Sequence, residues 1–365
     1  MKKAYLLLAD GTLFEGVSVG AEGKCIAEVV FHTGMAGYQD VLNDPSYYGQ
    51  AVCMTYPLIG GFGVTAEDFA SSKSCVSGFI VRELCDYPSN WRCEHTLDEF
   101  LKKEGVIGLA GIDTRHLTRV IRSKGVMNGI LYTEGYEPDE QMIADMKAYK
   151  IADAVKAVTV SEPIVCAAKD EQKYRVALLD CGAKKDIIDI LTARGCEVTR
   201  LPAMTDAQTI VDGGYDGAVI SNGPGDPTEN TAIVENIKAL VASGIPMFGI
   251  ALGHQLIAMA FGATITKLPF GHHGVNQPVK ELSTGRTRIT SQNHGYAVDG
   301  DSINAELGRV SHIHINDQAC EGIEHVSAPI FSVQYYPENE PGPQDTIDPY
   351  GHFIALMDEK KGGAQ

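Results

Sequence analysis

Gly249-Ile250-Ala251-Leu252-Gly253-His254-Gln255 follows the short apolar run Pro246-Met247-Phe248 and leads into an apolar stretch ending at Ala260. The pattern predicts a strand over 246–250, a tight Gly-x-Ala-x-Gly turn, and a helix over 255–260. Such a strand-turn-helix presents one side chain at the top of a sheet and aims backbone N–H groups at a developing oxyanion. The side chain presented by Ala251 is a methyl group. A second segment, Val333-Gln334-Tyr335-Tyr336-Pro337-Glu338, ends a predicted strand with an aromatic-Pro-Glu step. A His-Pro-Glu there would supply a base and its orienting carboxylate. The carboxylate is present and the imidazole is not.

The chain has 365 residues, enough for two domains with separate cores. With 44% hydrophobic and 21% charged residues it reads as an ordinary soluble globular protein. Thirty Lys and Arg against 47 Asp and Glu leave a net charge of −17, a field that repels nucleic acid and anionic membranes. Proteins or small molecules are the expected partners. The apolar stretch after Lys2-Lys3 is cut by Asp10-Gly11, too early for a signal peptide, and predicts a strand entering a hairpin turn. No apolar run approaches the ~20 residues of a membrane span. Nine cysteines without a Cys-x-x-Cys pair fit free thiols in a reducing cytoplasm. Cys181, at the end of Leu178-Leu179-Asp180, is the one candidate to replace a missing nucleophile; a small apolar filler beside Gly182 is the better reading.

Residues 1–150 alternate short strand-like segments with helical patterns at 97–103, 114–123 and 138–149, an α+β pattern. Residues 151–172 lack periodicity and are read as a linker. From 173 to 365 buried-strand signatures alternate with helices, beginning with Arg175-Val176-Ala177-Leu178-Leu179-Asp180 and a helix over 184–194. A doubly wound, mostly parallel sheet follows, with ligands expected at the carboxyl ends of its strands. The β-rich stretch 264–335 extends that sheet or adds an antiparallel ribbon.

Four segments converge on one reading: Ser221-Asn222-Gly223-Pro224-Gly225-Asp226-Pro227, the turn at 249–255, Ser291-Gln292-Asn293-His294-Gly295-Tyr296, and Tyr336-Pro337-Glu338. Each alone is ordinary, since Asn-Gly and Pro-Gly are common turn chemistry. Together, in this order and spacing, they resemble the class I glutamine amidotransferase domain. The N-terminal half narrows the resemblance. Phe31-His32-Thr33-Gly34-Met35-Ala36-Gly37-Tyr38-Gln39, Asp44-Pro45-Ser46-Tyr47, Thr55-Tyr56-Pro57-Leu58-Ile59-Gly60 and Gly111-Ile112-Asp113-Thr114-Arg115 are similar to the opening segments of the carbamoyl phosphate synthetase small-subunit family. Phe270-Gly271-His272-His273-Gly274 and Pro341-Gly342-Pro343-Gln344-Asp345 add to it. The resemblance covers essentially the whole chain.

In that family the small subunit hydrolyses glutamine and passes ammonia to a large subunit, which makes carbamoyl phosphate for pyrimidine and arginine synthesis. The resemblance implies glutamine contacts at Ser46, Gly223, Gly225, Leu252, Gln255, Asn293, Gly295 and Tyr296, with the N–H groups of Leu252 and Gly223 as the oxyanion hole. It puts Ala251 in the place of the Cys nucleophile, Tyr336 in that of the His base, and Glu338 in that of the orienting carboxylate. His32 and Gly61 stand where the family usually has Asn. No cofactor is expected in this chain; ATP and Mg belong to the large-subunit partner. A cytoplasmic location is implied.

Plainer readings exist for single residues. Ser46 after Pro45 fits a cap of the following turn, Gln255 a solvated first-turn position, and Glu338 without an imidazole a strand-end hydrogen-bond acceptor. His272, His273, His312 and His314 are read as structural, with no metal expected, because no carboxylate or thiol stands at clear ligand spacing. A glutaminase-silent small subunit that still docks on a large subunit is the leading expectation. The alternatives are an inactivated variant of a working glutaminase and a glutamine-binding or regulatory module. The paired loss of nucleophile and base favours a natural degenerate copy over a single substrate-trapping change.

Overall fold

The computed structural model describes residues 2–65, 73–338, 342, 346 and 348–362. The Pro341 to Asp345 motif therefore lies, Gly342 apart, outside the described residues. The chain divides into two compact units: Met1–Ile151 with Pro269–Gly274, and Ala152–Leu268 with Val275–Gln365.

The first unit is built on a closed barrel. Its strands run in the spatial order Lys3–Leu8, Leu13–Gly20, Ile107–Ala110, Gly78–Ile80, Gln50–Met54, Lys24–His32 and Met127–Thr133, the last pairing back onto the first. The period of two decides which side chains meet. Ala4, Leu6 and Leu8 join Ala27, Val29, Phe31, Ala51 and Cys53 in one apolar cluster, whereas Val30, Val52 and Met54 pack into another with Phe79, Leu97 and Leu101. The N-terminal strand enters the expected hairpin: Gly11 has φ 88°, and the Thr12 N–H donates to Asp10 Oδ1 at 2.9 Å. Helix Leu97–Glu104 begins in a reciprocal capping box of Thr96 and Glu99 and ends at Gly105 in the left-handed region. In the Gly111 to Arg115 motif, Asp113 caps helix Thr114–Lys124 by accepting from the His116 N–H. His32 is 3% exposed with Nδ1 3.0 Å from the Tyr47 hydroxyl; burial, and then neighbouring His273, push its pKa down to about 3. A neutral imidazole fills that position.

The second unit holds a ten-stranded sheet. Its parallel centre consists of Cys196–Pro202, Tyr174–Asp180, Gly217–Ile220, Met247–Ile250 and Ile330–Val333 in that spatial order. Cys320–His325, Thr287–Val298, Ile265–Glu281 and Gly308–His314 continue the sheet beyond Ile330–Val333, so the β-rich stretch extends it. Helices Lys185–Ala193, Ala207–Asp212, Thr231–Ser243, Leu252–Ala260 and Asp348–Gly362 accompany the strands. Two apolar clusters take the alternate residues of the central strands: Ala177, Leu179, Ala218 and Ile220 in one, Val176, Leu178, Val219 and Phe248 in the other. Gly217 shows how closely the C-terminal helix is fitted. A Cβ there would lie 2.6 Å from Phe353 and 2.8 Å from the Met357 sulfur.

Two expectations are corrected. The segment read as a linker, 151–172, carries helix Ala154–Val158 and strand Ile164–Cys166, which pairs antiparallel with Cys196–Pro202. Elements of five and three residues are too short to leave a periodic signal, and the edge strand is specified by its neighbour. The helix after the elbow begins at Leu252 rather than at 255. Gly253 has poor intrinsic helix propensity but is required by packing, since a Cβ there would lie 2.1 Å from the Ile220 carbonyl oxygen. Among the described residues no helix is long and apolar enough to cross a membrane.

Candidate functional site

Strand Met247–Ile250 delivers Ala251 to the turn with φ 52° and ψ −104°. Left-handed φ is unusual for a residue with a Cβ, and holding one there costs on the order of 1–3 kcal/mol. The glycines on either side let the surroundings close on this residue. A Cβ at Gly249 would lie 2.6 Å from Ile257 Cδ1 and 2.8 Å from the Gly253 carbonyl oxygen. The Ala251 N–H donates to Val333 O at 2.9 Å and the Gly253 N–H to Ser221 O at 3.0 Å, so three strand ends pin the turn. The strain persists although Ala251 has no heteroatom to present. Ala251→Gly is therefore expected to stabilise the chain by up to about 2.5 kcal/mol, the relief of strain less the ~0.5–1 kcal/mol entropic cost of glycine. Urea unfolding reads this directly; a destabilised glycine variant would mean that the turn is unstrained.

The glycine-rich turn meets the elbow. Gly223 admits no side chain, because a Cβ would lie 2.2 Å from the Cys181 carbonyl oxygen and 2.8 Å from Leu252 Cδ2. Ser221 Oγ accepts the Cys181 N–H at 2.9 Å and donates to Asn222 O at 2.8 Å. Gly225, with φ 87°, backs onto Ala154. Cys181 itself is fully buried, and burial, aided by Asp180, pushes its thiol well above the usual range. It is the expected filler and a poor source of thiolate.

Strand Ile330–Val333 runs parallel to and beside Met247–Ile250, so the 335–338 segment leaves the sheet at the same end as the elbow. The Tyr336 N–H donates to Ser291 O at 2.9 Å. Its ring is 3% exposed and shares an apolar cluster with Ala251, Ile250 and Tyr350. The Lys184 ammonium lies 4.8 Å from the Tyr336 ring centre, a cation–π distance. The same ammonium stands 3.4 Å from Glu338 Oε1 and 3.5 Å from Asp186 Oδ2, with 1% of its side chain exposed. Glu338 Oε2 accepts from the Tyr350 hydroxyl at 3.4 Å. Burial outweighs the attraction of Lys184 and holds the Glu338 carboxyl above the usual carboxylate range. Glu338 is thus the expected acceptor, but its chief partner is a buried lysine. Lys184 was not singled out from sequence; its one signal is a charge placed between a buried strand end and the start of helix Lys185–Ala193.

Gln255 is not solvated. It is 3% exposed, and its Nε2 donates to Tyr296 O at 2.8 Å and to Gln334 Oε1 at 2.9 Å. The elbow helix is thereby tied to the Asn293 to Tyr296 segment. Asn293 is 8% exposed, Gly295 borders open space, and the Lys267 ammonium lies 5.6 Å from the Tyr296 ring centre. Ser46 belongs to the first unit, in the 3₁₀ turn Pro45–Tyr47. Asp44 is the cap of that turn, since its Oδ1 accepts the Ser46 N–H at 2.9 Å. His254, the residue after Gly253, is fully buried with Nδ1 2.9 Å from Ser332 Oγ, and burial, helped by His312, pushes its pKa down to about 3. It is a structural imidazole, with no carboxylate partner among the described residues to make it a base. His312 Nδ1 lies 2.9 Å from Ser311 Oγ, and His314 Nε2 lies 3.0 Å from Gln277 Oε1.

The site thus assembles an elbow that carries the Ala251 methyl group, a glycine turn, the buried Tyr336 phenol and the buried Glu338 carboxyl. Residues 6–131 match the family described as carbamoyl-phosphate synthase small chain, CPSase domain, and residues 177–354 match glutamine amidotransferase class-I. The chain is 47% identical over 358 residues to the carbamoyl phosphate synthase small chain of Symbiobacterium thermophilum, covering 96% of this chain and 98% of that one. It is 45% identical to the protein of the same name from Listeria monocytogenes serotype 4b, over 100% of this chain and 99% of that one. The Bacillus caldolyticus protein of that name is 45% identical, with 99% and 98% covered.

Proposed function

We propose that this chain, which belongs to the carbamoyl-phosphate synthase small-chain family, is a glutaminase-silent small subunit that docks on a large subunit and supports synthesis from free ammonia. The observation that carries the reading is Ala251: the backbone pays for an elbow in the left-handed region and puts a methyl group on it. An alanine forms no thioester, so the covalent route through a thiol is closed. Tyr336 supports the same reading, because its buried ring stands under the Lys184 ammonium and the carboxylate that would orient an imidazole is engaged by that lysine. Glutamine would meet the backbone of Gly223, Gly225, Leu252 and Gly295, with Gln255, Asn293 and Tyr296 as further contacts. Tyr336 opposes this by filling space beside Ala251. ATP and Mg would be held by the large subunit.

The barrel unit supports the docking half of the proposal. A fold of about 150 residues that glutamine chemistry does not require is retained with its capping and turn motifs intact. Mixed with a cognate large subunit at micromolar concentration, the chain is expected to co-elute with it in size-exclusion chromatography. Two separate peaks would leave a free-standing glutamine-binding module as the better description.

A further inference from the structure

The parallel strands of the second unit, counted in chain order, lie in the spatial order 2-1-3-4-5, because Tyr174–Asp180 is flanked by its successor Cys196–Pro202 on one side and by Gly217–Ile220 on the other. The chain therefore departs to both sides of Tyr174–Asp180. In doubly wound sheets the crevice outside the carboxyl ends of strands at such a switch point is where ligands bind. A cavity of about 410 Å³ lies there, lined by Ala203 and Met204 after Cys196–Pro202, by Pro224 and Glu229 after Gly217–Ile220, and by residues 153–156. The elbow at 249–255 and the 291–296 segment do not line it, so it is separate from the glutamine site. Its walls are fixed by packing. A Cβ at Gly225 would lie 2.7 Å from Ala154 Cβ, one at Gly182 would lie 2.9 Å from Val158 Cγ2, and Thr159 Oγ1 accepts the Ala203 N–H at 2.9 Å.

Val155, Ala203, Met204 and Pro224 give the cavity an apolar wall, and its rim carries charges of both signs. Asp226 is committed, since its Oδ1 accepts the Thr228 N–H at 2.9 Å and the Thr228 hydroxyl at 2.7 Å. Asp153 enters helix Ala154–Val158 at φ 50° without a side-chain cap hydrogen bond. Among the described residues no ion pair or side-chain hydrogen bond engages Asp153, Lys156 or Glu229. Two carboxylates and one ammonium on the lining are thus uncommitted, beside an apolar wall in a space within the ~300–1,000 Å³ of small-molecule sites. We propose that this cavity binds an α-amino acid with an aliphatic side chain, its ammonium held by Asp153 and Glu229, its carboxylate by Lys156, and its side chain on the apolar wall. A simple anion would meet two carboxylates, and a simple cation would leave Lys156 unmatched. A zwitterion with an apolar tail satisfies every uncommitted charge.

The probe is L-norvaline, titrated calorimetrically into the full chain beside two analogues of the same carbon skeleton: n-butylamine, which lacks the carboxylate, and valerate, which lacks the ammonium. Norvaline is expected to bind saturably at one site, and each analogue about tenfold or more weakly, the loss of one charge-assisted contact. Lys156 and Glu229 are exposed, so Lys156→Met and Glu229→Gln should keep the circular dichroism of the parent. Lys156→Met is expected to weaken norvaline to the level of n-butylamine, and Glu229→Gln to weaken it while leaving valerate no worse. No saturable heat from norvaline, or an analogue that binds as tightly, would overturn the proposal. So would norvaline affinity unchanged in both variants, which would place the amino acid at the elbow instead.

Discussion

Purified chain incubated with glutamine is expected to release no ammonia above background. Loss of a triad nucleophile alone lowers turnover on the order of 10⁶-fold, and on the proposed reading the base is replaced as well. Neither candidate substitute has the required chemistry. Cys181 is fully buried with its thiol pushed well up, so almost none of it is thiolate at neutral pH. A phenol of ordinary pKa, about 10, is only about 0.1% ionised at pH 7, which makes tyrosine a weak general base. Turnover that survives Cys181→Ala and disappears with Glu338→Gln would show that another group serves as nucleophile.

The double replacement Ala251→Cys with Tyr336→His is expected to restore glutamine hydrolysis at least in part, whereas neither single change should. Nucleophile and base act as a unit, so each is nearly worthless without the other. The elbow already holds Ala251 at φ 52° on a strained strand-to-helix turn, the setting in which an elbow nucleophile is presented, and Glu338 remains at the end of its segment to receive an imidazole. Lys184 cuts both ways. Its ammonium competes for Glu338, but its charge also disfavours protonation of a neighbouring imidazole and keeps the base neutral. Replacing the Tyr336 ring further opens the space it occupies in the cluster with Ala251. Ammonia assays on the four chains decide the matter. Activity in the Ala251→Cys single variant equal to that of the double would mean that no base at 336 is needed.

Much of the site was legible because its signals are local. Gly249 and Gly253 flank Ala251 at the spacing of an elbow, and each glycine is forced by a contact that any Cβ would violate. Asp113 and Asp10 act within three residues of themselves, as caps and turn formers do. What escaped reading was long-range. Closure of the barrel rests on Lys3–Leu8 pairing with Met127–Thr133, more than a hundred residues away, and no local pattern distinguishes that from an open sheet. Gln255 looked like a solvated first-turn residue because its partners, Tyr296 and Gln334, arrive from distant strands. Lys184 escaped for the same reason: only the fold brings Glu338 and Tyr336 to its ammonium. Helix Ala154–Val158 and strand Ile164–Cys166 were hidden by their brevity.

The most direct test of the silent-subunit account is carbamoyl phosphate synthesis by the complex of this chain with its cognate large subunit, supplied with bicarbonate, ATP and Mg. Rates are to be measured with ammonium chloride and, separately, with glutamine as the nitrogen source. The account predicts synthesis from ammonium and none above background from glutamine. Glutamine-dependent synthesis at a rate comparable to the ammonium-dependent one would contradict it.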